Sequence, residues 1–186
     1  MEGLRKMKRK IILLVLCLFV SAPFLSCQAN VFETHFAANP KPCEFLPYDD
    51  AEKILGQPVR LIENISKVES DVRKTDCTYR GVSKDKFSGK DINLYFSLEQ
   101  QEQNPTVEKA RQEFESTYKK IDEPLLLVQL LSGIGDEAFV ISNPPNFHFM
   151  MVRKGAMIFR MKLNKVPEKT SLEELKAFAK KFAEQL

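Results

Sequence analysis

Glycine is sparse in this 186-residue chain, at seven residues, and proline is not abundant, at ten. That excludes a collagen-like chain and a Pro/Gly-rich disordered one. Cysteine appears four times and histidine twice, too few cysteines for a disulfide scaffold of this length and too few histidines beside them for a zinc array. No G-x-S-x-G and no H-E-x-x-H occurs, so neither signature of hydrolytic or zinc-protease chemistry is present. Charged residues make up 28% and hydrophobic residues 44%, an ordinary globular balance that excludes a many-span membrane protein. The length suits one domain large enough to bury a core.

What is there begins with an address. Arg5, Lys6, Lys8, Arg9 and Lys10 form a cationic start, and Ile11 to Val20 is an unbroken apolar run, too short to span about 30 Å of hydrocarbon. Ser26-Cys27 follows. A small residue directly before a cysteine, after such a run, resembles the bacterial lipobox, in which the thiol is diacylated and becomes the mature N-terminus. Phe24 stands where that motif usually has Leu. The other reading is ordinary cleavage after Ala29. The organisation expected is a lipoprotein signal over 1–26, a lipid-anchored tether over 27–42 with attachment at Cys27, and one domain over 43–186.

The signal also carries the basicity. Residues 1–27 hold five basic side chains and one acidic, so the whole-chain charge of +3 becomes −1 for residues 28–186. A nucleic-acid partner needs a basic mature domain, and this one is not. Cys17 leaves with the signal and Cys27 is the lipid acceptor. Cys43 and Cys77 remain, a pair expected to form a structural disulfide in an oxidising compartment. Two buried free thiols are the alternative.

The tether (QANVFETHFAANPKP) has no sustained period and ends in prolines. Phe32 and Phe36, four apart, offer a sticky turn, and His35 is poorly placed for catalysis. Beyond it, Pro47 to Leu55 reads as a helix stopped by Gly56. Val59 to Ile65 reads as a strand, Lys67 to Asp76 as a charged connection, and Cys77 to Val82 as a strand. Asp91 to Glu99 alternates cleanly, with Ile92, Leu94, Phe96 and Leu98 on one face. Asn104 and Pro105 are read as capping a helix to about Ile121, with Val107, Ala110, Phe114, Tyr118 and Ile121 as its apolar stripe.

Leu125 to Leu131 and Ala138 to Ser142 follow as short strands. Phe147 to Arg153 and Ala156 to Leu163 form a hairpin around Lys154 and Gly155. Ser171 with Glu174 makes a capping box for a last helix to Leu186. Helices separated by hairpin-linked strands imply an α+β domain, a mainly antiparallel sheet with about three helices, in two degenerate helix-plus-strands halves.

Few motifs carry chemistry. Gly133, Gly135 and Ala138 spell G-x-G-x-x-A, but a strand and two prolines follow where a dinucleotide site needs a helix N-terminus, so a turn is the better reading. His148, with Met150, Met151, Met157 and Met161 nearby, sketches a soft-metal site. Methionine at alternating strand positions is more often core filling, so no metal or cofactor is assigned. Asp49–Asp50 and Asp136–Glu137 are adjacent acids whose side chains are expected to diverge. Arg153, Lys154, Arg160 and Lys162 sketch a basic hairpin face for anionic lipid or cell-wall polymer, or simply a solvated one.

Taken together, PCEFLPYDDAEKILGQPV, CTYRG and GIGDEAF, ahead of a hairpin and a closing helix, resemble small bacterial lipoproteins grouped as a domain of unknown function. To a lesser degree the pattern is similar to the extracytoplasmic sensor domains of bacterial membrane kinases. The matching positions are Cys43, Gly56, Cys77, Tyr79, Gly133, Gly135, Asp136 and Ala138. The resemblance brings no catalytic residues. It implies a structural role for the cysteine pair and for the turn of Gly133, Gly135 and Asp136. The function expected is a non-catalytic, membrane-anchored extracytoplasmic interaction module. Its partner would be an envelope protein or polymer. A carrier of a small apolar ligand is the alternative and a hydrolase the third reading.

Overall fold

Residues 42–121, 126–166 and 172–186 are described by a computed structural model, and all belong to one compact unit, His35–Leu186. The signal, Cys27, Phe32, His35, Phe36, Leu125 and the Ser171 cap lie outside the described residues.

A 3-10 turn, Pro42–Glu44, leads into helix α1, Tyr48–Leu55. Asp49 and Asp50 sit in its first turn, where the helix dipole favours acids. Gly56 ends it at φ 62, with the Gly56 and Gln57 N–H groups bonding back to Lys53 and Glu52. That left-handed closure is why glycine stands there. Strands β1 (Val59–Glu69) and β2 (Val72–Gly81) form one long hairpin. The charged connection expected over Lys67 to Asp76 is therefore corrected. Lys67 pairs with Lys74 and Glu69 with Val72, and Ser70 and Asp71 turn the chain with φ 49 and 69. Two consecutive left-handed residues match the twist of paired strands.

Strand β3 is Asn93–Gln101. Helix α2, Val107–Lys119, starts later than expected: Thr106 is its N-cap, accepting from the Lys109 N–H, rather than Asn104 or Pro105. Strands β4 (Leu127–Leu131), β5 (Glu137–Asn143), β6 (Phe147–Lys154) and β7 (Met157–Leu163) follow, and helix α3, Leu172–Ala183, closes the chain. The seven strands make one sheet in the order β1-β2-β3-β7-β6-β5-β4, every pair antiparallel. The fold is α+β with an antiparallel sheet and three helices, as the patterning implied. The strand order makes a three-strand and a four-strand meander that meet where β3 pairs with β7.

Period-2 alternation sends the strand side chains to two cores. On one face, α1 and α3 cover Tyr79, Leu94, Phe96, Met150, Phe159, Met161 and Leu163. Phe182 is their hub, its ring centroid 5.2 Å from Phe96 and 4.9 Å from Phe159, both edge-on. On the other face, Ala110 and Phe114 of α2 cover Phe139, Ile141, Met151 and Ile158.

Candidate functional site

Three polar arrangements and one strand edge hold whatever chemistry the described residues offer. The first arrangement lies where the tether meets the domain. Cys43 and Cys77 are joined, with Cα atoms 5.2 Å apart, inside the window a disulfide requires. Two residues along, the buried Tyr79 hydroxyl donates to the Leu46 carbonyl at 3.0 Å. Burial, and then the neighbouring Tyr48, push the Tyr79 phenol up to about 12, so it stays a donor. The Tyr48 ring packs edge-on against it at 5.0 Å. The C-x-Y pattern thus grips one segment twice, once through sulfur and once through the phenol. The alternation of β2 turns both residues to the same face.

The second arrangement is the turn of Gly133, Gly135 and Asp136, which feeds strand β5 rather than a helix N-terminus. Gly133 and Gly135 have φ 74 and 60. At Gly135 an added Cβ would lie 2.6 Å from both the Arg153 carbonyl oxygen and Val152 Cγ1. Only glycine lets this backbone approach β6 so closely. The Asp136 N–H donates to the Arg153 carbonyl, and its carboxylate accepts from the Gly155 N–H at 2.8 Å and from Arg153 Nη1 at 2.9 Å. Arg153 Nε also reaches Glu137 at 2.5 Å.

The expectation that Asp136 and Glu137 diverge is therefore corrected. Asp136 sits in the turn and Glu137 begins the strand, so period-2 geometry does not separate them and both close on one guanidinium. Burial works against ionising Asp136. The Gly155 N–H, the Arg153 guanidinium and Lys154 outweigh it and hold the carboxyl below its usual range.

The basic hairpin face is likewise corrected. Arg153 is buried between its acids. Arg160 is taken by Glu99 at 2.6 Å and by Glu113 of α2. Lys154 lies 3.4 Å from Asp136. Lys162 is exposed. Arg153, Lys154 and Arg160 thus tie elements together rather than forming a free basic face.

The third arrangement is His148, buried with its Nδ1 sharing a 2.9 Å hydrogen bond with Ser142 Oγ across β5 and β6. Burial lowers its pKa. Sequence reasoning passed over Ser142, because only the strand register sets it opposite His148. A serine–histidine contact is half of a nucleophile–base pair, but both residues lie within the packed sheet. Met150, Met157 and Met161 fill the larger core and Met151 the smaller. Among the described residues, no three His, Cys, Asp or Glu side chains gather to hold a metal.

A pocket of about 30 Å³ between α2 and the sheet is lined in part by Val72, Glu99, Gln101 and Glu113. It is the size of a bound water. Gln101 Oε1, buried without a partner among the described residues, is the atom such a water would satisfy.

The strand edge is β4, outermost in the sheet and paired, among the described residues, with β5 alone. Leu127 is 70% exposed, Val128 38% and Leu130 63%, and residues 127–131 (LVQLL) carry no charge. An apolar run of this kind reads as core from sequence, and its position at the margin is what the sheet order adds. The opposite margin, β1, also exposes Ile62, Ile65 and Val68. It intersperses Arg60, Glu63, Lys67 and Glu69 and shifts register between Leu61 and Glu63. Charges and a bulge are how an edge is kept from pairing, and β4 has neither.

The chain matches no protein-family model, no curated protein and no solved structure. No helix among the described residues is long and apolar enough to cross a membrane.

Proposed function

We propose that this chain is a lipid-anchored, extracytoplasmic interaction module without catalytic activity, of the kind found among the small bacterial lipoproteins its motifs resemble. The observation that carries the reading is β4, an uncharged and exposed strand at an open sheet margin. Such edges take up an added strand from a partner. The polar arrangements support the same reading, because each is satisfied from within: Tyr79 by Leu46, Arg153 by Asp136 and Glu137, His148 by Ser142. The anchor rests on the cationic start, the apolar run and Ser26-Cys27. Export would also supply the oxidising compartment that Cys43 and Cys77 need. The pocket beside α2 is about a tenth of the several hundred Å³ that a carrier of apolar ligands calls for, so that pocket is not a carrier's site.

The test is made on the full chain in its native envelope. Intact mass of the membrane-extracted protein is expected to show fatty acid on an N-terminal Cys27, whereas a soluble form beginning at Asn30 would overturn the anchor. A Leu130→Lys variant is expected to melt as the parent does yet lose its complexes in the envelope. Unchanged complexes would overturn the role of β4.

A further inference from the structure

An edge strand is chosen by its partner through side-chain pattern as much as through backbone. β4 reads Leu127, Val128, Gln129, Leu130, Leu131, which has the same polarity pattern in either direction. Laid antiparallel on a second copy with Gln129 opposite Gln129, Leu127 meets Leu131 and Val128 meets Leu130. Every apolar side chain then faces an apolar one. The two amides, each a donor and an acceptor, sit within reach of one another. No charge in the strand opposes the arrangement.

The β1 edge fails the same exercise. Its charges and its register shift between Leu61 and Glu63 break any symmetric pairing. We propose that two copies of this chain pair through β4, antiparallel about Gln129, so that their sheets join into one sheet twice as wide. The contact is isologous, with a two-fold axis through the Gln129 pair, so it closes at two copies and does not propagate.

Size sets where the pairing operates. A contact of five residues a side is smaller than the roughly 1,000 Å² that a stable interface needs. Association in dilute solution is therefore weak, and confinement to a surface makes it effective. With the proposed anchor at Cys27, the sixteen residues 27–42 have a maximum reach of about 55 Å, enough for two neighbouring domains to meet edge to edge. The inference rests on the interaction-module reading and names its partner as a second copy.

The test uses the full chain in membranes. Gln129 is exposed, so its variants are expected to fold, and unchanged melting checks this. Under mild oxidation a Gln129→Cys variant is expected to give a covalent dimer, while the parent and a Val68→Cys variant give none. Two differently tagged copies bearing Gln129→Lys are expected to co-purify about five-fold less than the parental pair. That corresponds to the ~1 kcal/mol penalty of like charges directly opposite in a sheet. A Gln129→Lys copy with a Gln129→Glu copy is expected to recover the parental level, a rescue that only self-pairing predicts. Failure of the Gln129→Cys variant to dimerise, or absence of the charge-swap rescue, would overturn the proposal. If that variant instead bonds to a different envelope protein, self-pairing falls and the interaction-module reading stands. If it captures neither, and Leu130→Lys also leaves the envelope complexes unchanged, both fall.

Discussion

Cys43 and Cys77 are separated by 34 residues, and closing a loop of that size removes denatured-chain entropy equivalent to about 4 kcal/mol. Reduction, or Cys77→Ser with Cys43→Ser, is expected to lower stability by roughly that amount, read as a shift in the denaturant midpoint with and without reductant. An unshifted midpoint would mean the thiols were never joined. His148 gives a second prediction at this scale. Its burial lowers the folded-state pKa below the ordinary 6.5, so the unfolded chain binds the extra proton first. The His148 contribution to stability is complete above about pH 6.5 and is lost as pH falls from there toward the folded-state value. Melting temperature is expected to fall between pH 7 and 5, and His148→Gln is expected to flatten that part of the slope. A slope identical in the variant would assign it to other groups.

Among the elements, the turn into β5 makes the sharpest demand on sequence. Gly133→Ala meets open space and only the cost of a left-handed backbone, about 1 kcal/mol, while Gly135→Ala adds a collision with β6 and is expected to cost about 2–4 kcal/mol. Equal losses in a thermal melt would contradict the close approach. Elements that bury one face and wet the other were legible in the sequence: the alternation of Leu94, Phe96 and Leu98 placed β3, and Ala110 and Phe114 of the expected stripe are the buried residues of α2. The outer halves of β1 and β2 were not legible. The outer half of β1 is exposed along its length and that of β2 is built mostly of charged and polar residues, so no hydrophobic period marks them, and their turn uses Ser70 and Asp71 rather than glycine. The convergence of Asp136 and Glu137 on Arg153 was hidden for a different reason. It depends on the pairing of Glu137 with Arg153 across β5 and β6, a contact set by register.

At the scale of the whole molecule, α3 is the lid of the larger core. It supplies Leu175, Phe178, Ala179 and Phe182, and its Lys181 reaches Asp50 of α1 at 2.9 Å. A chain ending at residue 171 would leave Phe96 and Phe159 uncovered on that face. It is expected to keep strand signal in far-ultraviolet circular dichroism while losing a cooperative melt and binding a hydrophobic dye. A cooperative melt in the shortened chain would show that the sheet and α1 suffice. Candidate sites were the least legible layer, because exposure of β4 is a property of the sheet order and appears nowhere along the chain.

The bond between Cys43 and Cys77 also decides how the domain meets mechanical load. A pull arriving along the N-terminal segment passes at Cys43 directly through sulfur into β2, a strand with neighbours on both sides. The helix α1 and the strand β1, both inside the covalent loop, are bypassed and cannot be drawn out. Stretched between its two ends, the oxidised protein would hide about 110 Å of contour length, from 34 residues at roughly 3.3–3.6 Å each less the 5.2 Å already spanned. That length would reappear in a single-molecule extension trace only after reduction.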